Sequence, residues 1–343
     1  MLKHLPEKEH IIFLCICVTY FSIALLAHPF PSVLVFDNLK FYFQILIPYL
    51  IPFVFIFWAA KSIIFLMENR AEGFIGLSRC WGQLRTDYLS KDCLVRFLMV
   101  FPLIPFFNFS YSSLKQTIPI FQGQTLDLHL HEIDLFLHGD TLPWDLLQPL
   151  FGYPHTTKII DILYLCWGSL FLYTLFWMVF TRRRYLRLQF FLSLIFSWII
   201  IGNIMARVLA SAGPCYFAKI VKTIPDPYIP MMAYLRSVPG LKAVQIQDAL
   251  WQAHAAGNFM PLGGISAMPS MHVSIAVLMA LVFFRVNVFL GILLTIFAVT
   301  IQIGSVHLGW HYAIDGYTSA LATVAIWWAV KKAIDRFHPV SLP

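Results

Sequence analysis

The chain has 343 residues, of which 59% are hydrophobic and only 12% are charged. A water-soluble domain would carry about twice that share of charged residues, so the composition excludes one and predicts a membrane protein. The formal net charge of +7 does not indicate nucleic-acid binding, because the basic residues stand in short clusters beside apolar runs, as positive-inside anchors do.

Eight apolar stretches approach the roughly 20 residues that a bilayer-spanning helix needs. We predict an all-α integral membrane protein with about eight transmembrane helices, near residues 11–27, 42–66, 93–110, 159–180, 187–209, 268–284, 287–305 and 311–333. Two helices and a loop form an N-terminal region, residues 1–92, and six helices form the catalytic membrane core, residues 93–343. The first stretch also suits a cleaved signal peptide, but we expect a retained helix because its removal would leave an odd number of spans.

The basic clusters fall in alternate connections between the predicted spans, which places them all on the cytoplasmic side. They are Arg70/Arg79/Arg85/Lys91, Arg182/Arg183/Arg184/Arg187, Arg285 and Lys331/Lys332/Arg336. Both termini are then cytoplasmic. The two long connections, residues 111–158 and 210–267, face the periplasm or an organelle lumen, where their composition predicts short amphipathic helices.

Two histidines and an acid lie at the outer ends of the last three predicted helices. His311 and Asp315 are four residues apart, so on a helix they share one face and the carboxylate can accept a hydrogen bond from the imidazole. The other ring nitrogen is then free to act as a nucleophile, and His272 could protonate the leaving oxygen. Ser270 follows a proline in the first turn of a helix, where unpaired backbone N–H groups can receive phosphate oxygens.

These motifs resemble a known family. Pro-Ser-x-His at residues 269–272 and His-x-x-x-Asp at residues 311–315 are similar to the type 2 phosphatidate phosphatase superfamily of lipid phosphatases and phosphotransferases. Residues 132–144 and 264–272 resemble the branch that includes inositol phosphorylceramide synthases. The resemblance implies that the last six helices form the superfamily's helical core. It further implies a nucleophile at His311, an orienting acid at Asp315, an acid toward the leaving group at His272, and no metal or other cofactor.

Departures from the phosphatase branch concern the cations that bind phosphate. Ser305 stands where that branch has an arginine, Met271 stands where it has a glycine, and Arg207 with 213–214 is a loose remnant of its Lys-x6-Arg-Pro motif. Sphingolipid phosphotransferases also lack that arginine, so the departures favour a transferase. The expected phosphate-binding residues are Ser270, Ser305, Arg207 and His307. For His307 an alternative is an interfacial histidine turned away from the site.

The first outer connection carries further polar residues. We expect Asp134 and Asp140 to contact a polyol headgroup. Histidines and acids in this segment could also suggest a metal site, but their spacing does not favour one and the resemblance implies metal-independent chemistry. The residues concerned are His129, His131, His138, Asp127, Glu132 and Asp134.

The leading hypothesis is therefore a lipid phosphotransferase that resembles inositol phosphorylceramide synthases. It would move a phosphoryl-headgroup from a membrane phospholipid, through a phosphohistidine, to a ceramide-like or diacylglycerol-like hydroxyl. With water as the acceptor the same site would make a lipid phosphate phosphatase. A proton-coupled transporter is the alternative from another class, although transporters more often carry polar groups near mid-membrane, in broken helices, than at helix ends.

Overall fold

A computed structural model of the chain describes residues 8–27, 32–68, 90–118, 125–261 and 263–337, together with Arg79, Trp81, Gly82, Arg85 and Thr86. Throughout these residues the regular structure is helical, without a strand. The predicted all-α class is therefore confirmed. Arg70 of the first predicted basic cluster lies outside the described residues.

The chain separates into two compact units, and the first comprises Met1–Ser110 and Leu172–Arg187. Its helices are α1 (Lys8–Ala27), α2 (Ser32–Glu68), α3 (Lys91–Val100) and the first part of α4 (Leu103–Gln116). Aromatic rings pack its interior. The ring of Phe53 lies 5.5 Å from that of Phe176 and 6.0 Å from that of Phe180, measured between centroids.

The second unit comprises Tyr111–Phe171 and Leu188–Pro343 and contains every candidate site residue. Helices α4, α7 and α8 contribute residues to both units. The second unit's elements are α5 (Asp127–Leu137), α6 (Pro143–Phe151), α7 (Pro154–Phe180), α8 (Arg184–Val208, with a π-helical segment Ser197–Met205), α9 (Phe217–Ile220), α10 (Ile229–Ser237), α11 (Lys242–Ala255), α12 (Met271–Phe284), α13 (Val288–His307) and α14 (Ala313–Phe337).

Five helical runs among the described residues are long and apolar enough to cross a membrane, which makes this a multi-pass membrane protein. They are Val35–Ala60, Cys93–Gln116, Pro154–Phe180, Arg184–Val208 and Val288–His307. Ile11–Ala27 and Met271–Phe284 are shorter apolar helices, and the last predicted span, 311–333, forms α14. Spans are thus found at most predicted positions, while their number, eight, and the division at residue 92 stay predictions.

Both long connections contain short helices, as predicted, but the first connection is narrower than the sequence indicates. Helix α4 continues to Gln116 and α7 already begins at Pro154, so α5 and α6 fill most of what is described between them. A side chain of a distant helix caps one of these short elements. Asp161 of α7 accepts hydrogen bonds from the first N–H groups of α11, at Lys242 (2.7 Å) and Ala243 (3.0 Å).

Helix α12 packs against both α13 and α14, and this three-helix group positions the site. A hydrogen bond of 2.7 Å joins Ser274 Oγ on α12 to Thr323 Oγ1 on α14. Gly316 leaves room for the side chain of Gln302, whose Nε2 donates to Ala313 O across 3.1 Å. The start of α12, the end of α13 and the start of α14 therefore meet at one end of the group.

Candidate active site

His311 and Asp315 form a buried pair where α14 begins. His311 Nδ1 lies 3.2 Å from Asp315 Oδ2, and the side chains are 8% and 0% exposed. The same carboxylate oxygen accepts a hydrogen bond from Tyr312 N at 3.1 Å. The pair uses Nδ1 of the imidazole, which leaves Nε2 as the nitrogen that could attack an electrophile.

His272, the second residue of α12, faces this pair. Its ring centroid lies 6.3 Å from that of His311, with the two ring planes at 63°. Two aromatic side chains one turn apart on α7 hold it: Tyr164 stacks on the imidazole at 4.7 Å and Trp167 lies 4.5 Å away. Trp167 Nε1 also donates to the carbonyl of His272 at 2.9 Å. The ring is thus held by packing.

Backbone hydrogen bonds tie the three helix ends together. Ser270 N donates to Asp315 O at 3.3 Å, which joins the start of α12 to the start of α14. Ser305 O accepts from both Trp310 N (2.9 Å) and His311 N (3.1 Å), which joins the end of α13 to the loop that carries His311. The two histidines are therefore positioned by the main chain as well as by their side-chain contacts.

The start of α12 offers donors to an anion. Ser270 Oγ caps the helix by accepting from Val273 N at 3.5 Å. Met271 and His272 precede Val273 in this first turn, and their N–H groups have no acceptor among the described residues. Unpaired N–H groups at a helix N-terminus attract phosphate, so this turn suits a phosphate placed between the histidines.

Two predicted phosphate-binding side chains, Ser305 and Arg207, have other partners in the structure. The Ser305 hydroxyl donates to Gln302 O at 2.8 Å within its own helix. Arg207 is exposed and donates to Leu114 O and to Thr117 Oγ1 at the end of α4. Neither contact is to either catalytic candidate.

His307 is fully buried in a separate cluster. Its Nε2 lies 2.9 Å from Thr157 Oγ1, which in turn contacts Tyr234 OH at 2.7 Å. Its ring packs near Phe151 and Tyr234. None of these contacts is to His272 or His311, and the burial of His307 differs from the interfacial histidine of the alternative expectation.

The two aspartates expected to contact a polyol lie in different environments. Asp134 accepts hydrogen bonds from the first two N–H groups of α14, at Ala313 (2.7 Å) and Ile314 (2.9 Å). Burial raises the pKa of the Asp134 carboxyl above its ordinary value, and these two N–H groups oppose the rise. Asp140 is an exposed turn residue after α5, with a φ of 57° that aspartate tolerates better than most residues.

The polar residues around α5 do not form a metal-binding group. His131 Nδ1 contacts Tyr228 OH at 3.0 Å, and the two nitrogens of His138 contact Asp134 O and Tyr317 OH. In the part of the chain that the structure describes, no three histidine, cysteine or acidic side chains converge as metal ligands would.

Asp127 is a supporting residue that the sequence did not single out for the site. Its buried carboxylate accepts hydrogen bonds from Ala212 N, Gly213 N (2.9 Å) and Tyr312 OH (2.9 Å). Gly213 has a φ of +98°, and a Cβ there would lie 2.6 Å from Trp310 O. The loop at 210–213 thus lies directly against the segment of His311. Nothing in the sequence near Asp127 signals this, because all of its partners are distant in the chain.

A protein-family model described as the PAP2 superfamily matches residues 128–329, more than half of the chain. This range includes both histidines and the acid of the site. Comparisons with curated proteins and with solved structures found no match.

Proposed function

The chain belongs to the PAP2 superfamily, and from this premise we propose that it is a membrane-embedded lipid phosphotransferase of the inositol phosphorylceramide synthase-like kind. It would move a phosphoryl-headgroup from a phospholipid to the hydroxyl of a second lipid. The observation that carries the proposal is the buried His311–Asp315 pair, which faces His272 at one end of α12, α13 and α14.

In the first step Nε2 of His311 attacks the phosphorus of the donor. A nitrogen–phosphorus bond forms while the bond from phosphorus to the diacylglycerol oxygen breaks, and His272 gives that oxygen a proton. Asp315 keeps Nδ1 protonated, so that Nε2 carries the lone pair, and stabilises the charge that the ring gains. The products of this step are diacylglycerol and a phosphohistidine that carries the headgroup.

In the second step the neutral His272 removes the proton from the acceptor hydroxyl. The acceptor oxygen attacks phosphorus, the nitrogen–phosphorus bond breaks, and His311 regains its lone pair. The cycle returns both histidines to their starting protonation states without a metal or another cofactor. Since one group donates a proton and the other must be neutral, we expect activity to depend on pH as a bell-shaped curve.

The acceptor determines whether the protein is a transferase or a phosphatase. Water attacking the same intermediate would give a lipid phosphate phosphatase, an activity of the superfamily's general type. Burial of His311 and Asp315 and the aromatic cover of His272 support a lipid acceptor, because they limit access of water to the phosphohistidine. The polar groups cluster at helix ends, which does not favour a proton-coupled transporter.

The test is headgroup transfer by the purified full-length protein. Phospholipids with labelled headgroups are offered with ceramide, diacylglycerol or water as the acceptor, with EDTA present. We expect a labelled lipid product from the wild type and a loss of about 100- to 10,000-fold in His311→Ala and Asp315→Asn. Two control variants should retain activity. They are His129→Ala, which changes an exposed histidine of α5, and Asp335→Asn, which changes an exposed acid of α14.

A labelled free headgroup phosphate in place of a labelled lipid would identify a phosphatase that uses the same residues. Equal activity of the wild type and His311→Ala would contradict the phosphohistidine mechanism. A wild type that is silent with every donor, while carrying protons across vesicles, would support the transporter instead.

A further inference from the structure

Lys115 lies in the last turn of α4, in the same compact unit as the candidate site. Its side chain is half-buried, and its Nζ lies 5.9 Å from the ring centroid of Tyr111, one turn earlier on the helix. Tyr111 in turn approaches the site: a Cβ added to Gly202 would meet the Tyr111 ring at 2.6 Å and Met271 Sδ at 3.0 Å. Tyr111 and the residue before His272 therefore converge on the same glycine.

The end of α4 is joined to the segment that leads into α12. Gln116 makes two hydrogen bonds to the main chain of Met260, from its Nε2 to the carbonyl and from the Met260 N–H to its Oε1, both of 3.0 Å. The stem of Lys115 lies against Gly264, where an added Cβ would come within 3.1 Å of Lys115 Cγ. The lysine side chain is thus placed beside the segment that continues to Ser270 and His272.

The ammonium of Lys115 has no carboxylate partner among the described residues. Its cation lies over the ring of Tyr111, and that ring and Met271, the residue before His272, meet at Gly202. A half-buried cation without a counter-ion is costly unless an anion completes its surroundings. A phosphate between the histidines would supply that anion.

We propose that Lys115 binds the phosphate of the substrate, in the place of the arginine that is absent at Ser305. This proposal rests on the proposed function and identifies the cation of that site. Arg207, the other cation considered from the sequence, has its guanidinium at Leu114 O and Thr117 Oγ1. It therefore holds the end of α4 from outside and acts as a positioning residue for Lys115.

The test compares the wild type with Lys115→Met, Lys115→Arg and Lys222→Met as purified full-length proteins. Orthovanadate is the probe, as an anion with the shape of a phosphoryl group in transfer. Its inhibition constant and the KM for the donor are measured with the substrate pair found in the transfer assay, and its binding is measured separately by the shift in melting temperature. Lys222 is an exposed lysine of an outer connection and serves as the control.

We expect Lys115→Met to weaken orthovanadate binding and to raise the KM for the donor by about 10- to 100-fold, the range for a lost charged hydrogen bond. Lys115→Arg, which keeps the positive charge, should retain part of the orthovanadate binding and of the affinity for the donor. This variant also shows whether the fold tolerates a substitution at this position. Lys222→Met should match the wild type.

The outcomes separate the two proposals. If the wild type and Lys115→Met bind orthovanadate equally, the assignment of Lys115 is wrong and the histidine mechanism is unaffected. If the wild type neither transfers headgroups nor gains stability from orthovanadate, the proposed function fails and the phosphate site fails with it. If Lys115→Arg and Lys115→Met lose binding equally although both fold, shape at this position matters and charge does not, which overturns the assignment.

Discussion

The two catalytic candidates are held in different ways, and the difference suits different roles. The ring of His311 is fixed by a hydrogen bond to Asp315, which sets its tautomer and orientation. The ring of His272 makes no hydrogen bond to the described residues and is held between Tyr164 and Trp167. A nucleophile needs a fixed lone pair, whereas an acid that also acts as a base needs one ring nitrogen that can lose and regain a proton.

Burial lowers the pKa of the His131 imidazole below its ordinary value, and the charges of Glu132 and Asp226 oppose this change. Below about pH 6.5 the His131 imidazole then binds a proton in the unfolded chain more readily than in the folded protein. The stability that His131 contributes is present above that pH and is lost as the pH falls through the folded-state pKa. We expect the melting temperature of the wild type to fall more steeply between pH 7 and 5 than that of His131→Gln.

The control for this prediction is His129→Gln, an exposed histidine on the same helix, which should fall as steeply as the wild type. Parallel curves for the wild type and His131→Gln would show that His131 is not responsible for the loss of stability in acid.

At the scale of elements, helices are joined by carboxylates that accept from distant main-chain groups. Asp134 of α5 caps α14, and Asp161 of α7 caps α11. Each carboxylate accepts two N–H groups that a helix start would otherwise leave unpaired. Short and long helices are thus connected by specific contacts.

Asp127→Asn tests the contact that joins α5, the loop at 210–213 and Tyr312. An amide keeps one acceptor but turns N–H donors toward the N–H groups of the loop, so a buried donor loses its partner. We expect the free energy of unfolding to fall by about 1–3 kcal/mol, measured by thermal or denaturant unfolding in detergent.

Asp145→Asn is the matched control, an exposed acid in the first turn of α6 that should leave stability unchanged. If Asp127→Asn were as stable as the wild type, the contacts of Asp127 would be dispensable for holding this loop.

For the whole molecule, the candidate site and the basic clusters lie at opposite ends of the last helices. His272 and His311 are at the start of α12 and just before α14, while Arg285 follows α12 and Lys332 is near the end of α14. The positive-inside rule then predicts a site that faces the periplasm or a lumen, with cytoplasmic termini. Substrates would reach such a site from the outer leaflet.

Single cysteines test this orientation in a background without the native cysteines. His129→Cys and Lys222→Cys lie in the connections that are predicted to face outward. Arg285→Cys and Lys332→Cys lie at the ends of α12 and α14 that are opposite the candidate site; all four positions are exposed. We expect an impermeant maleimide to label the first two only from the face of a sealed membrane that is opposite the cytoplasm. The other two should react from the cytoplasmic face alone. Labelling of all four from one face would contradict the predicted topology.

Local patterns in the sequence were enough to predict the class of the protein and the centre of the candidate site. Apolar runs identify membrane helices because the bilayer sets their length, and most of the predicted spans are helices of that kind. The His311–Asp315 contact follows from a spacing of four residues at the start of a helix. Both inferences depend only on neighbouring residues, which is why they need no knowledge of the fold.

The roles of the surrounding polar residues were decided by the tertiary structure alone. Asp134 is predicted to contact a headgroup, and only the structure shows its hydrogen bond to Ala313, 179 residues away. The hydroxyl of Ser305 bonds within its own helix, and the guanidinium of Arg207 bonds to the end of α4. Lys115 belongs to no motif and lies beside the segment that leads into α12 only because α4 ends there. Such contacts join residues far apart in the chain, so no local spacing or composition can encode them, and only the packing of the helices determines which charge faces the site.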